Sequence, residues 1–197
     1  RANELTGVAS IANTTVTGSF HANGRVANTT GTLSLTISGS TFTSSTTHDG
    51  FDVVSDGTAD VTTNISTSTF SNNFSDGFDG GAFSNSGTSK SAISITSSHF
   101  ASNGANGILI AEAGGSNTWF NIHGNTDITS NPSLSINLFM NNGTSTAGKL
   151  RGLVANNVIT YNTVAGGGQG ILLNTQGAGT ATVEITNNTV NYTDGAN

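Results

Sequence analysis

The chain lacks cysteine, contains a single proline, Pro132, and carries few charged residues. Without cysteine, disulfides and thiolate metal sites are excluded. Charged residues make up 8% of the chain, which excludes disorder driven by net charge, and hydrophobic residues make up 34%, which is low for a globular core. Glycine, serine, threonine and asparagine are abundant instead, and this mixture predicts many short strands joined by tight turns.

The shortage of basic residues limits the partners of the chain. The formal net charge is −6, and the five basic residues are Arg1, Arg25, Lys90, Lys149 and Arg151. They form no basic patch that could hold phosphates, so nucleic acid is not expected as a partner. The longest apolar runs, such as residues 107–113, are too short to span a membrane. No export signal opens the chain, so we expect that any such signal has been removed or lies outside this sequence.

One short phrase returns along the whole chain: an Ile or Leu, four mostly small polar residues, and then Val or Phe. The residues that open and close it are Ile11/Val16, Ile37/Phe42, Ile65/Phe70, Ile95/Phe100, Leu153/Val158 and Ile185/Val190, and Ile122/Ile128 is a further copy with one extra residue. Successive copies begin 26 to 32 residues apart. A repeat of this period predicts a solenoid in which each copy contributes one coil.

Each coil is predicted to contain three strands. Apolar residues alternate before each phrase, as in Leu33, Leu35 and Ile37, so that they point inward together. The closing Val or Phe lies in a second strand, and the polar link suits a bend between the two. A third strand headed by glycine follows in most coils, at residues 50–53, 77–80, 107–110 and 170–173. This is the plan of a parallel β-helix, in which each strand pairs with its counterparts in the neighbouring coils.

The phrases also carry a family resemblance. Residues 95–103, Ile-Thr-Ser-Ser-His-Phe-Ala-Ser-Asn, followed by Asn106-Gly107-Ile108, resemble the right-handed parallel β-helix repeats of bacterial exoproteins. The resemblance extends from about Val8 to Tyr192. It implies one all-β domain, residues 1–197, folded as a right-handed parallel β-helix of about seven coils. Pectate lyases, polygalacturonases, phage tailspikes and surface adhesins share this repeat, so it does not imply one activity.

The composition looks most like that of the Ser/Thr/Asn/Gly-rich adhesins and exoproteins. This likeness implies an extracellular or cell-surface location and a structural, adhesive function in a bacterial surface protein or filament, with a surface glycan or another cell surface as partner. No polar cap closes either end of the repeats, so we expect a segment of a longer chain or a subunit that assembles end to end with its own copies. The alternative is a carbohydrate-active enzyme of the same fold, a polysaccharide lyase or a glycoside hydrolase.

The sequence Asp-Gly-Phe-Asp occurs twice, at residues 49–52 and 76–79, 27 residues apart. In a solenoid the first copy lies beside the second, so Asp49 and Asp52 neighbour Asp76 and Asp79. Two such charges one coil apart repel by ~1 kcal/mol in water. A bound cation, raised pKa values or splayed side chains would relieve the repulsion. We therefore predict that these four aspartates bind Ca²⁺, with a solvated acidic edge as the other interpretation.

The same aspartates could serve as catalytic carboxylates of a glycosidase, with Arg25 one coil below as the base of a lyase or as a salt-bridge partner of Asp49 or Asp52. The sequence argues against catalysis. A general acid needs a partly buried carboxyl in a groove, and only Phe74 and Phe83 are expected to be able to line one here. No catalytic residue is therefore predicted.

Two further patterns lie outside the acidic repeat. Asparagines follow the repeat phrase by two to four residues and predict a ladder of stacked amides at the turn: Asn72, Asn103, Asn131 and Asn162. Trp119 and Phe120, with Tyr161, could form a platform for a sugar ring, or Trp119 could cover the end of a strand.

Overall fold

The computed structural model describes residues 1–83, 88–143, 148–162 and 169–193. Over these ranges the chain forms 21 β-strands and no helix. The strands assemble into three sheets of seven strands each, and every pairing between strands is parallel. The all-β solenoid predicted from the repeats is confirmed.

Each sheet takes every third strand of the chain. Sheet A contains β1 (Ala2–Asn3), β4 (Gly24–Asn28), β7 (Phe51–Ser55), β10 (Phe78–Phe83), β13 (Ile108–Ala113), β16 (Leu134–Asn141) and β19 (Gln169–Gln176). Sheet B contains β2 (Gly7–Ala12), β5 (Thr32–Ser38), β8 (Asp60–Ser66), β11 (Lys90–Thr96), β14 (Asn117–His123), β17 (Lys149–Ala155) and β20 (Thr180–Thr186). Sheet C contains β3 (Thr15–Thr17), β6 (Thr41–Thr43), β9 (Thr69–Ser71), β12 (His99–Ala101), β15 (Asp127–Thr129), β18 (Val158–Asn162) and β21 (Thr189–Thr193).

One coil is a passage through sheets A, B and C, and equivalent residues of successive coils stack in columns. The isoleucines that open the phrase form one such column, in which Ile65 pairs with Ile37 below it and Ile95 above it. The closing Phe42, Phe70 and Phe100 form another in sheet C. The Gly-headed segments are the strands of sheet A, so the sequence phrase marks the register of all three sheets.

The core is a set of these columns inside the coils. The rings of Phe42, Phe70 and Phe100 stack with centroids 5.3 and 4.9 Å apart and with planes within 13° of parallel. Phe51 meets Phe42 edge to face, with centroids 5.0 Å apart. All four side chains are buried, and each contributes roughly 1.5–3 kcal/mol through the area removed from water. Residues of the same type in successive coils therefore pack on each other along the solenoid axis.

The polar link of the phrase forms the turn between sheets B and C. One residue of each link has a positive φ of 48° to 65°, a conformation that small polar residues and glycine tolerate best. These residues are Asn13, Gly39, Thr67, Ser97, Gly124, Asn156 and Asn187. The next residue points inward, and its side-chain oxygen accepts a hydrogen bond from the backbone of the coil below, as Ser98 does from Ser68. This explains why the link contains mostly Ser, Thr, Asn and Gly.

A buried asparagine ladder lies at the turn between sheets C and A. Its members are Asn73, Asn103 and Asn131. The Asn103 amide donates to Asn131 Oδ1 at 3.1 Å and to the carbonyl of Phe70 at 3.1 Å, while its Oδ1 accepts from the Asn73 amide at 2.9 Å. The predicted ladder is thus confirmed for two residues but wrong for Asn72, which is exposed with φ of 54° and precedes the inward position. The side chain of Asn162 lies outside the described residues.

The ladder also explains the glycine that heads the strands of sheet A. A Cβ on Gly77 would meet the carbonyl oxygen of Gly107 at 2.6 Å and the amide nitrogen of Asn103 at 2.8 Å. Real Cβ atoms do not approach other atoms so closely, so only glycine fits beside the stacked amides. Gly50 has the same surroundings one coil below.

Replacing Asn103 by alanine should lower the free energy of unfolding by roughly 3 kcal/mol, because buried donors and acceptors on both neighbouring coils lose their partner. Denaturant unfolding followed by circular dichroism measures the change. Asn64→Ala is the matched control, since Asn64 is exposed on β8, and it should change the stability by less than about 0.5 kcal/mol. Equal losses in the two variants would contradict a structural role for the ladder.

Candidate functional site

The two Asp-Gly-Phe-Asp segments place their carboxylates in two columns. Phe51 and Phe78 pair in register and point into the core. Asp52 and Asp79 also pair in register, and because side chains alternate along a strand they lie on the outer face of sheet A. Asp49 and Asp76 precede the glycines and stack in the turn before the strand. The stacking predicted from the repeat is therefore confirmed.

The turn column consists of Asp49 and Asp76, and both carboxylates accept hydrogen bonds from backbone N–H groups. Asp49 Oδ1 accepts from the backbone N–H of Asp76 at 2.9 Å. Asp76 Oδ1 accepts from the backbone N–H of Asn106 at 2.7 Å and from its side-chain amide at 2.8 Å. Each carboxylate thus bonds to the coil above it, and Asn106 ends the acidic column with a neutral side chain.

The strand column consists of Asp52 and Asp79, and the contact that stabilises it is a salt bridge. Arg25 pairs with Asp52 in register, and its Nη1 lies 2.8 Å from Asp52 Oδ2. Of the two roles considered for Arg25, the salt bridge to Asp52 is the one that the geometry shows. Asp79 Oδ1 is buried, and it has no hydrogen-bond partner among the described residues. This carboxyl lies directly above the Arg25–Asp52 pair without a cation of its own.

Burial raises the pKa of three of these carboxyls. It raises the pKa of Asp52 to about 6, against the opposing charge of Arg25. It raises the pKa of Asp76 to about 6, against the hydrogen bonds from Asn106. The pKa of Asp79 rises well above its ordinary value, first through burial and then through the negative charges of Asp52 and Asp76. Raised pKa values, one of the three expected ways to relieve the repulsion between stacked aspartates, therefore apply to Asp52, Asp76 and Asp79, and hydrogen bonds stabilise Asp49 and Asp76.

The carboxyls open into a cavity of about 390 Å³ on the outer side of sheet A. Its lining residues are Arg1, His21, Ala22, Arg25, His48, Asp49, Asp52 and Asp79. The imidazole rings of His21 and His48 lie 5.5 Å apart at this edge. The expectation that only Phe74 and Phe83 could line a groove here was wrong, because the turn segments of neighbouring coils build the walls. Phe74 is 64% exposed and lines none of it.

This arrangement has the elements of acid–base chemistry. Burial raises the pKa of Asp79 well above its ordinary value, while the positive charge of Arg25 opposes the rise in pKa at Asp52. Neighbouring parallel strands lie ~4.8 Å apart, so the in-register pair is close to the ~5 Å separation of carboxyls in retaining glycosidases. The pair therefore has about the separation that such a reaction requires, and Asp52 has a cationic partner in Arg25.

Calcium binding by Asp49, Asp52, Asp76 and Asp79 stays a prediction. The carboxylates do lie close enough for their charges to interact. Within the described ranges, however, no group of three or more His, Asp or Glu side chains has an arrangement that could hold a metal ion. The contacts to backbone N–H groups and to Arg25 already use one oxygen each of Asp49, Asp76 and Asp52.

Two parts of the chemistry were missed by the sequence reasoning. His21 and His48 reach the cavity from turns whose path the repeat does not specify. Glu112 is buried inside sheet A at the end of β13, where burial raises its pKa to about 7 and the nearby Asn142 side chain opposes the rise. The period-two alternation Ile108, Ile110, Glu112 could have predicted that this glutamate points inward.

Comparisons with protein families, with curated proteins and with solved structures find no match for this chain. The fold itself defines the class: a parallel β-solenoid with three sheets. In the part of the chain that the structure describes, no helix has the length and apolar character needed to cross a bilayer.

The raised pKa values predict that stability falls as the pH rises from about 4 to about 7. The folded state keeps its protons up to a pKa of about 6 at Asp52, whereas in the unfolded chain this carboxyl ionises near 3.8. Stability is thus greatest below the unfolded pKa and is lost as the pH rises through the folded one, by roughly 3 kcal/mol for Asp52. Urea unfolding between pH 4 and pH 8 measures this slope.

Asp79→Asn carries no titrating group at this position, so its stability should fall less over the same pH range. Asp60→Asn, which removes an exposed carboxyl, is the control and should keep the slope of the parent protein. Parallel slopes for the parent and Asp79→Asn would contradict the assignment of raised pKa values.

Calcium binding is tested by the same unfolding measurement at pH 7, with and without added Ca²⁺. Ca²⁺ favours ionised carboxylates, so an unfolding midpoint that does not change when Ca²⁺ is added would contradict the calcium prediction.

Proposed function

We propose that this chain is a structural, adhesive rod module of an extracellular bacterial surface protein or filament. The observation that carries the proposal is the unbroken register of three sheets through seven coils. At ~4.8 Å per coil the rod is roughly 30 Å long, and its length is proportional to the number of coils. Such an architecture sets a distance and presents side chains at fixed intervals.

The packing supports a rigid rod. Backbone hydrogen bonds link each coil to the next along all three sheets and continue through the turns, as from Gly50 to Asp76 at 2.8 Å. Three side-chain columns reinforce them inside: the stacked phenylalanines, the asparagine ladder, and the inward Ser and Asn residues in the links between sheets B and C, such as Ser98 and Asn125. A protease needs a locally unfolded segment, and opening one coil would break contacts with both of its neighbours. The rod is therefore expected to resist proteolysis.

The outer faces support an adhesive function. Outward residues of sheet B in the early coils are short and polar, such as Ser34, Thr36, Thr62 and Asn64. These side chains recur in rows at the coil spacing, and the fold does not constrain their identity as it constrains the core. Affinity for a glycan or another surface would come from such rows without disturbing the core.

Removal of one whole coil should leave a shorter but folded rod. Deletion of residues 50–76 joins Asp49 to Gly77, restores the Asp-Gly-Phe-Asp segment, and removes one strand from each sheet. We expect a cooperative thermal transition, retained protease resistance, and a length reduced by ~4.8 Å in small-angle scattering.

Deletion of residues 50–63 is the matched control, because it removes β7 and half of β8 and shifts the register of the following coils. This variant should lose the cooperative transition. If the whole-coil deletion also unfolds, or both variants become protease-sensitive, the modular rod is contradicted.

A second candidate function is carbohydrate hydrolysis in the acidic cavity, and the raised pKa of Asp79 beside Asp52 favours it. Asp79 would protonate the glycosidic oxygen and Asp52 would be the nucleophile, as the paired carboxyls of retaining enzymes are. Arg25 is held by Asp52, which favours a hydrolase over a lyase that would use this arginine as its base.

Incubation with neutral and acidic polysaccharides, followed by assays for new reducing ends and for unsaturated products, tests this candidate. If the chain is a hydrolase, Asp79→Asn and Asp52→Asn should each lower turnover by at least about 100-fold, since each removes one of the two required groups. Asp60→Asn should retain full turnover. Absence of new reducing ends on all polysaccharides, or equal turnover in the variants, contradicts hydrolysis at this cavity and leaves the rod proposal standing.

A further inference from the structure

Trp119, the single tryptophan of the chain, lies on the outer face of β14 in sheet B and is 38% exposed. It borders a shallow groove of about 230 Å³ that spans three coils. Besides Trp119, the outward side chains of Thr62, Asn64, Ala92, Ser94 and Asn121 line it. The platform foreseen with Phe120 and Tyr161 is not formed, because Phe120 points into the core and Tyr161 lies in sheet C beside Tyr192.

The register of sheet B builds the groove from two rows of outward side chains. In one row Trp119 follows Ala92 and Thr62 of the coils below, which are too short to cover the indole. In the other, two residues further along each strand, Asn121 follows Ser94 and Asn64. An aromatic face is thus set beside a row of amides and a hydroxyl, with ~4.8 Å between coils.

The coil above the tryptophan supplies positive charge. Arg151 pairs with Trp119 in register, and Lys149 lies two residues before it on the same exposed face. Neither residue has an ion-pair partner among the described residues. Lys90, on the same sheet, does have an acidic partner, because its Nζ lies 3.8 Å from Oδ2 of Asp60. Two unpaired cations beside one exposed aromatic ring are a local exception on a chain with a net charge of −6.

We propose that this groove, here called the Trp119 groove, binds an acidic glycan, a chain that contains uronic acid residues. The C–H face of a sugar ring packs on the indole, the row of Asn64, Ser94 and Asn121 exchanges hydrogen bonds with sugar hydroxyls, and Arg151 bonds the sugar carboxylate. The inference names the ligand of the adhesive function proposed above and rests on that function.

The dimensions of the groove favour a glycan over other polymers. A stable protein interface buries roughly 800 Å² on each partner and needs an apolar centre, whereas the two outward rows that form this groove contain only two apolar side chains, Trp119 and Ala92. A nucleic acid would need more cations than two, and the net charge of the chain would repel it. A carbohydrate needs an aromatic face and several planar polar groups, and the groove supplies both.

Trp119 itself reports binding, because its fluorescence is the only tryptophan emission of the protein. Titration with oligogalacturonate should give a saturable change in that emission. Cellohexaose, a neutral chain of similar length, should bind about tenfold more weakly, since it lacks the carboxylates that Arg151 bonds. Arg151→Gln should weaken oligogalacturonate binding by about tenfold, and Lys90→Gln, the matched loss of one positive charge on the same sheet, should leave it within twofold.

Trp119→Ala, followed by calorimetry, should abolish measurable binding without shifting the thermal midpoint by more than a few degrees, since the side chain lies outside the core. Equal binding of both glycans with no effect of Arg151→Gln overturns the acidic class of ligand. No saturable change with either glycan overturns the groove as a glycan site. Neither result tests the proposal of a structural rod, because coil deletion and protease resistance are measured without a ligand.

Discussion

The structure depends on one constraint: each coil is hydrogen-bonded in register to the next, so every side chain has the equivalent residue of a neighbouring coil ~4.8 Å away. An inward position must therefore tolerate a near copy of itself. Phenylalanine satisfies this by parallel stacking, as Phe70 does with Phe100, and asparagine by donating to the next amide while accepting from the previous one. This explains how a chain with 34% hydrophobic residues still forms a continuous buried core.

The same constraint creates the acidic cavity. Stacking brings aspartates together whether or not they attract each other, and the position in the coil decides how each is accommodated. In the turn column, backbone N–H groups of the next coil point at Asp49 and Asp76. In the strand column those groups are used by the sheet, so Asp52 takes Arg25 as its partner, and the pKa of Asp79 rises well above its ordinary value. Burial raises the pKa in both columns, at Asp76 in the turn and at Asp52 and Asp79 on the strands, whereas the partner of each carboxylate depends on its place in the coil.

The repeat phrase was enough to predict the strands, their register and the stacking of the two acidic segments, because period and alternation act along a single strand. The burial of Asp52 was not predictable in this way. It depends on turn residues such as His48, whose path is specific to one coil. The ladder was misassigned by one residue at Asn72 because two asparagines adjoin there, and only the backbone conformation distinguishes the exposed one from the inward Asn73. The inward orientation of the buried Glu112 could have been predicted from the alternation of Ile108 and Ile110, but it was not.

Outward positions escape the stacking constraint, so departures from Ser, Thr and Asn there carry information that the core cannot. Two such departures lie on different sheets. On sheet A, Arg25, Asp52 and Asp79 occupy one column, and on sheet B, Trp119 and Arg151 occupy another. Neither set contributes to the core, so the fold alone does not account for them. A rod that only spanned a distance would not need them, which is why we propose recognition as the function of the outer faces, while the columns inside stabilise the fold.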